Sequence, residues 1–264
     1  MKNKLIVIEG CDCVGKTTLV KDLKNTIKEK NKDIKVLAIS LPYRNRFGYA
    51  KIRECLGGKV VFPPDVVQSL FLANMIETAE KDINPFMLES PENHIVILDR
   101  SMISTILYNA MSGGTIFESI MTYMNKLRAA GVKEIPEDPN VVDFDIINKV
   151  YGHLAVSVDF TFFLSPPLQI VLDRAAAKAA QTGESNDSKA TVQRMYSAYL
   201  AFYNFITGQM YRSVIDFLEK PKGILKPQTR DFDKYVALGE WNPKVSEEEN
   251  HKTYREAILA KLEL

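Results

Sequence analysis

Five stretches of the chain are apolar without a polar face, and residues with helical spacing fill the intervals between them. Leu5-Ile6-Val7-Ile8, Ile34-Lys35-Val36-Leu37-Ala38-Ile39, His94-Ile95-Val96-Ile97-Leu98, Phe160-Thr161-Phe162-Phe163-Leu164 and Lys234-Tyr235-Val236-Ala237-Leu238 predict strands. Short β-branched and aromatic runs of this kind suit strands buried on both faces. The first predicted helix starts near Lys16 and ends at Asn31, its later turns basic and solvated. Gly48 to Leu56 predicts a short helix stopped by Gly57-Gly58, and Pro64-Asp65 opens a longer one through Leu70, Phe71, Met75 and Ile76. Ser101 to Met111 and Leu168 to Ala180 are also predicted helical. Thr191 to Leu218 forms a long helix with Tyr196, Tyr199, Phe202, Tyr203 and Phe205 as a stripe for the core or a subunit interface. Ser246 and Glu249 are placed to box-cap the last helix.

Other segments read as connections. Pro42 cannot extend a central strand, so Tyr43 to Phe47 is expected to loop at the carboxyl end of the second one. Between Thr115 and Val158 the pattern gives a helix over Ile116 to Ala130, a turn at Pro136 to Pro139 and a short helix over Ile146 to Tyr151. Gln181 to Lys189 is small and polar, and Pro221 to Asp233 is a polar connection. Strands alternating with helices predict an α/β fold: a five-stranded parallel sheet covered on both faces, with ligands at the carboxyl ends of its strands.

Composition narrows the class. With 264 residues, 46% of them hydrophobic, one substantial core is expected, so residues 1–264 are read as a single domain. The net charge of +1 sets 34 basic against 33 acidic residues, which implies no field for a nucleic-acid polymer or a membrane surface. No apolar run is long enough for a bilayer, and the N-terminus enters a strand without a signal pattern. Three cysteines fit a reducing compartment, and the Cys11-x-Cys13 pair, lacking further cysteines nearby, reads as small loop residues rather than a metal site. A cytoplasmic globular enzyme is the expectation.

The chemistry concentrates after the first strand. Gly10-Cys11-Asp12-Cys13-Val14-Gly15-Lys16-Thr17, followed by Thr18, stands between a strand and a helix, the full context of a P-loop. Gly10 and Gly15 permit the tight turn that gathers backbone N–H groups around phosphate oxygens. The helix N-terminus adds to the same anion site. Lys16 is expected to reach the β- and γ-phosphates of ATP, and Thr17 to ligand Mg²⁺. Asp99 ends a hydrophobic strand, where a carboxylate would hold or orient Mg²⁺; the alternative is a helix N-cap. Arg44 and Arg100 fall at strand ends facing the same crevice, suited to a phosphate carried by a second substrate.

Taken together the motifs resemble the thymidylate kinases (dTMP kinases). Glu9 to Thr18 resembles their E-G-x-D-x-x-G-K-T-T segment, Leu41-Pro42-Tyr43-Arg44 their F-P-x-R loop, and Leu70 to Asn74 their L-F-x-A-N helix. Asp99-Arg100 followed by Ser104 resembles D-R-x-x-x-S, and Phe163-Leu164, Pro166-Pro167 and Leu172-Asp173-Arg174 resemble the approach to the family's lid. The resemblance implies Mg-ATP-dependent phosphorylation of a deoxynucleoside monophosphate, dTMP to dTDP, by a homodimer. It implies that Asp12 contacts the sugar 3′-hydroxyl, Phe71 stacks on the base, Arg44 and Arg100 hold the acceptor phosphate, and Tyr108 and Ser104 line the substrate pocket. A lid over about residues 178–190, with Lys178 or Lys189 as its basic residue, would close over ATP.

The chain also departs from the pattern. Met75 stands where many members carry a base-contacting arginine, and Ser101 stands where Tyr or His usually follows the D-R pair. Cys13 replaces a P-loop arginine. Residues of about 115–158 and 222–233 are extra to the family pattern. Two other readings stay open. A deoxynucleoside kinase would need a carboxylate base near the end of the second strand, where this chain has Leu41-Pro42-Tyr43-Arg44. A nucleotide-binding switch without transfer chemistry would retain the P-loop alone.

Overall fold

Successive strand residues point to opposite faces of a sheet, so a strand apolar throughout must meet a core on both sides. In the computed structural model, which describes residues 1–115, 158–182, 188–207, 235–238 and 241–264, this is the arrangement. The elements run β1 (Lys4–Glu9), α1 (Lys16–Lys30), β2 (Lys35–Ser40), α2 (Tyr49–Leu56) and α3 (Pro64–Thr78), then a π-helical turn (Ala79–Ile83), α4 (Asn84–Leu88), β3 (His94–Asp99) and α5 (Met102–Met111). After residue 157 come β4 (Phe160–Phe163), α6 (Leu168–Thr182), α7 (Lys189–Thr207), β5 (Tyr235–Ala237) and α8 (Glu247–Lys261).

The strands form one sheet in the order β2-β3-β1-β4-β5, and each neighbouring pair is parallel. Ile6, Ile8, Ile95 and Ile97 face one core, built from α1 (Leu19, Leu23, Ile27), α6 (Val171, Ala175), α7 (Met195) and α8 (Tyr254, Ile258). Leu5, Val7, Val96 and Leu98 face the other, with Met75 of α3 and Met87 of α4. Helix α5 serves both, sending Ile103 and Leu107 to the first and Met102 and Ile106 to the second. The register sets Asp99 opposite both Ile8 and Ser40, and Glu9 opposite Phe163. Polar side chains thus end the three adjacent strands β2, β3 and β1 on one rim. There the connections from β1 and β3 leave in opposite directions, which is the switch point where open α/β sheets bind ligands.

Several boundaries differ from the sequence expectation for local reasons. Helix α6 runs two residues further, to Thr182, continued by its Ala-rich tail. Helix α7 starts at Lys189 because the Ser188 hydroxyl accepts from Thr191 N at 3.3 Å, as a capping serine does. Of the expected lid, residues 178–182 end α6 and 189–190 begin α7, while 183–187 lie outside the described residues. The same holds for the helices and turn expected within 116–157, for the 222–233 segment and for the 208–218 part of the long helix. Ser246 caps α8, accepting from Glu249 N at 3.1 Å.

Ile258 is fully buried where α8 packs on the sheet-facing cluster. Ile258→Ala is expected to lower unfolding free energy by about 3 kcal/mol in chemical denaturation. A loss below about 1 kcal/mol would show that α8 contributes little to this core.

Candidate nucleotide site

The loop between β1 and α1 owes its shape to backbone angles that most residues avoid. Gly10 has φ 147°, Cys13 66° and Gly15 100°. A Cβ on Gly10 would lie 2.7 Å from the Leu164 carbonyl oxygen, and one on Gly15 would lie 2.9 Å from the His251 ring. Both glycines are therefore required by packing as well as by conformation. Gly15 is the N-cap of α1 and offers no capping side chain, so the first N–H groups of the helix are left for an anion.

Two side chains of α1 turn inward from this loop. The buried Lys16 Nζ donates to the Cys11 carbonyl at 2.6 Å, folded onto its own loop. Burial, assisted by the charge of Arg100, pushes its ammonium below the usual lysine value. The Thr17 hydroxyl donates to Asp99 Oδ2 at 2.7 Å, and the Ser40 hydroxyl reaches the same oxygen at 3.3 Å. Asp99 Oδ1 is buried and has no hydrogen-bond partner among the described residues. A hydroxyl, a carboxylate with one oxygen unengaged and an adjacent phosphate cradle fit Mg²⁺, which is held by few protein oxygens together with phosphates and water. Asp99 is not the cap of α5. That role belongs to Ser101, whose hydroxyl accepts from Ile103 N at 3.2 Å.

Across the cavity Arg100 takes a left-handed backbone, φ 80°. Its guanidinium pairs with Asp12, whose other oxygen accepts from the Tyr108 hydroxyl, and it lies 5.4 Å from the Tyr108 ring centroid. Burial would raise the Asp12 pKa, but Arg100, Lys16 and the Tyr108 hydroxyl outweigh it and hold the carboxyl well below the usual range. Burial likewise opposes the charge on Arg100, yet Asp12 and its neighbours keep it firmly cationic. Burial pushes the Cys11 thiol up to about 12, so it is an inert part of the loop at neutral pH.

These groups enclose a cavity of about 330 Å³. Asp12, Cys13, Gly15 and Lys16 to Thr18 line it from the loop and α1, Ser40 and Leu41 from β2, Asp99 and Arg100 from β3, and Lys178 from α6. Gly10, Cys11 and Val14 complete the loop behind it, the last two buried. Tyr108 and Ser104 stand one layer back, bonded to Asp12 and Arg100 respectively. Arg44 is exposed and outside the lining, as are the half-buried Phe71 of α3 and the exposed Lys189. In the Arg44 loop the arginine engaged is Arg46, which grips Asp82 through Nε at 2.7 Å and Nη2 at 2.6 Å. Asn74 pins that loop to α3, accepting from Tyr43 N at 2.7 Å and donating to the Tyr43 and Phe47 carbonyls.

The sequence reading assigned nothing to the residues that brace the loop from outside. Arg174 Nη1 donates to the Cys13 carbonyl at 3.2 Å while Nη2 pairs with Glu247 at 2.5 Å. The same guanidinium lies 5.3 Å from the Trp241 ring, which meets His251 edge-on. The α6 tail and the C-terminal segment therefore hold the loop jointly. No local pattern marks this brace: in the sequence, Arg174 belongs only to a segment that resembles the approach to a lid.

Comparison with known proteins bears on the loop and on the strand-end residues beside it. The family model described as thymidylate kinase matches residues 8–129. A thymidylate kinase of Ureaplasma parvum serovar 3 is 32% identical over 136 residues, which is 51% of this chain and 57% of the relative. One from Nautilia profundicola is 36% identical over 107 residues, 39% of this chain and 47% of the relative. One from a Thermoanaerobacter strain is 31% identical over 133 residues, 50% of this chain and 62% of the relative. Over these stretches the chain is similar to thymidylate kinases. It spans about half the length of the curated relatives it matches, 57% of the first named. The solved structure of the thymidylate kinase from Candida albicans superposes with a TM-score of 0.56 at 17% identity, covering 99% of this chain and 92% of that one. That likeness concerns the fold. The thymidylate kinase-like stretch holds the loop, Asp99, Arg100 and Tyr108, whereas Lys178, Arg174 and the bracing C-terminal segment lie beyond it.

Asp12 titrates below an unfolded-chain aspartate, so it contributes stability that is fully present above pH ~4 and is lost as pH falls through its folded value. Asp12→Asn is expected to lower the urea midpoint at pH 7 and to match the wild type increasingly as the pH falls below ~4. A difference that does not change with pH would mean that the Arg100 pairing does not stabilise the ionised carboxylate.

Proposed function

We propose that this chain is a Mg-ATP-dependent nucleoside monophosphate kinase that converts dTMP to dTDP. The observation that carries the reading is that one cavity is lined both by Lys16, Thr17 and Asp99 and by the Asp12–Arg100 pair. The first group suits the phosphates of a donor triphosphate; the second suits the phosphate and sugar of an acceptor. Phosphoryl transfer requires little covalent participation from a protein, so charge placement and in-line alignment supply most of the rate.

In this reading Gly10 to Thr18 cradles ATP through backbone N–H groups, and Lys16 exchanges the Cys11 carbonyl for phosphate oxygens. Thr17 and Asp99 would hold Mg²⁺, which neutralises charge on the phosphates when bound. Arg100 turns its guanidinium to the acceptor phosphate, and Asp12, partly released, receives the sugar 3′-hydroxyl. Tyr108 and Ser104 shape the pocket around that substrate, with Phe71 against the base. Arg44 and the lid segment of about residues 178–190, with Lys178 or Lys189, would approach when both substrates are present and water is excluded. Residues 1–264 act as one domain, in the cytoplasm and as a homodimer. Among the described residues, no helix is long and apolar enough to cross a membrane.

The deciding experiment is ADP release from Mg-ATP with a panel of nucleoside monophosphates and unphosphorylated deoxynucleosides. Turnover with dTMP well above the rest is expected. Activity confined to unphosphorylated nucleosides would remove the acceptor-phosphate role from Arg100 and Arg44, and no ADP release with any acceptor would favour a nucleotide switch. Lys16→Ala is expected to lower kcat by about 10³-fold or more with the fold retained by circular dichroism. Arg100→Ala should raise acceptor KM and lower kcat together, by about 10²-fold in kcat/KM. Unchanged kinetics in that variant would exclude Arg100 from the site.

A further inference from the structure

Glu9 ends β1 with no exposed surface, and none of the phosphate, metal or sugar roles above uses it. Its carboxylate is nonetheless the most heavily engaged in the site. Oε1 accepts from Ser101 N at 2.7 Å and from the Ser101 hydroxyl at 2.6 Å, and Oε2 accepts from the Ser104 hydroxyl at 2.8 Å. Longer contacts run from Ser104 N and Gly10 N, both at 3.4 Å. A buried carboxylate costs several kcal/mol unless donors surround it, so this cluster is a specific arrangement rather than incidental packing.

The direction of the hydrogen bonds shows what the arrangement holds. A serine hydroxyl has one proton. That of Ser104 goes to Glu9, so Ser104 Oγ faces Arg100 Nη1, 3.2 Å away, as an acceptor. The Tyr199 hydroxyl, 2.5 Å from Ser104 Oγ, must then be the donor of that contact, while it accepts from Arg100 Nη1 at 3.5 Å. A one-way relay results, from the guanidinium through Ser104 to Glu9. On the other flank Ser101 adjoins Arg100 in the chain, and Glu9 ties both its N–H and its hydroxyl while that hydroxyl caps α5. Arg100 itself keeps its φ of 80° with its N–H donated to Ile8 O at 3.0 Å, one residue before Glu9.

We propose that Glu9 is a positioning residue for Arg100. Through Ser104 it orients the hydroxyl that accepts from the guanidinium, and through Ser101 it fixes the strained turn from which Arg100 projects. The consequence for the acceptor phosphate rests on the function proposed above. Glu9 touches no substrate in this account; it acts through Arg100 alone.

The test uses the full chain and Glu9→Gln, which keeps the side-chain shape but replaces one accepting oxygen by a donor. Acceptor KM is expected to rise about tenfold, as for loss of one charge-assisted hydrogen bond, with ATP KM within about twofold of wild type. Ser104→Ala removes the middle member of the same relay, and with it one donor to Glu9 Oε2, and should give the same split. In an Arg100→Ala background Glu9→Gln should add nothing, because the residue it acts through is gone. An equal rise in both KM values, or the same penalty without Arg100, would overturn the proposal in favour of a purely structural role. The Arg100 side-chain NMR signals of the substrate-free protein decide positioning independently of turnover. A shift in Glu9→Gln supports it and an unchanged signal overturns it, even if the wild type phosphorylates none of the monophosphates and the acceptor reading falls.

Discussion

The geometry of this site depends on one residue whose backbone lies in the left-handed region. Between β3 and α5 the chain must deliver Asp99 to the phosphate loop and Arg100 to Asp12, although consecutive residues of an extended strand would project in opposite directions. At Arg100 the backbone passes through φ 80°, and the strand is redirected into the helix within two residues. For a residue with a side chain this conformation costs of order 1–3 kcal/mol and persists only where the surroundings enforce it. The Ile8 carbonyl, the Ser101 cap and the Asp12 carboxylate supply that enforcement from β1, α5 and the loop.

The same principle of outside support governs the phosphate loop. Its three positive-φ residues, Gly10, Cys13 and Gly15, give it a backbone shape that local preference alone would not hold. Leu164 and Val14 close on Gly10, His251 fills the space beside Gly15, and Arg174 fastens the Cys13 carbonyl. A mobile loop would lose ordering entropy on binding phosphate; one braced by β4, α6 and α8 has lost it in folding. In the proposed function this would give α8 a part in nucleotide binding, although it stays outside the cavity lining.

What could be read from the sequence follows from the range of each signal. The five strands were legible because each is a continuous apolar run, and the loop was legible because its residues are contiguous. Arg100 and Asp99 were found because they end a strand. Glu9 lay in plain view within the same motif, but its partners Ser101 and Ser104 are 92 and 95 positions away, and no local pattern foretells such a cluster. Arg44 shows the converse. Its position at a strand end placed it at the crevice, while the loop it occupies is held by Arg46 and Asn74, and Arg44 itself projects into solvent. Strand-end logic locates a loop, and the side-chain anchors decide which of its residues face inward.

Charge balance explains how so many ionised groups share one small cavity. Lys16 is buried and Arg100 half-buried, and the charge of Arg100 works against that of Lys16. In the structure described, Arg100 is matched by Asp12 and Lys16 by the Cys11 carbonyl, with Asp99 nearby. In the proposed function, anionic substrates would enter a site whose cations already have partners, and would bind by exchange: phosphate oxygens for a carbonyl at Lys16, and for a carboxylate at Arg100. Exchange avoids both the desolvation of a bare buried cation and the reorganisation of a disordered one. It also makes affinity depend on how readily each partner lets go. Asp12 is bound to both Arg100 and Tyr108, so a substrate offering it a hydroxyl in return would bind better than a phosphate alone. In the proposed reaction the deoxyribose 3′-hydroxyl is that compensation, and the Asp12–Arg100 pairing becomes a means of favouring a whole nucleotide over its isolated phosphate.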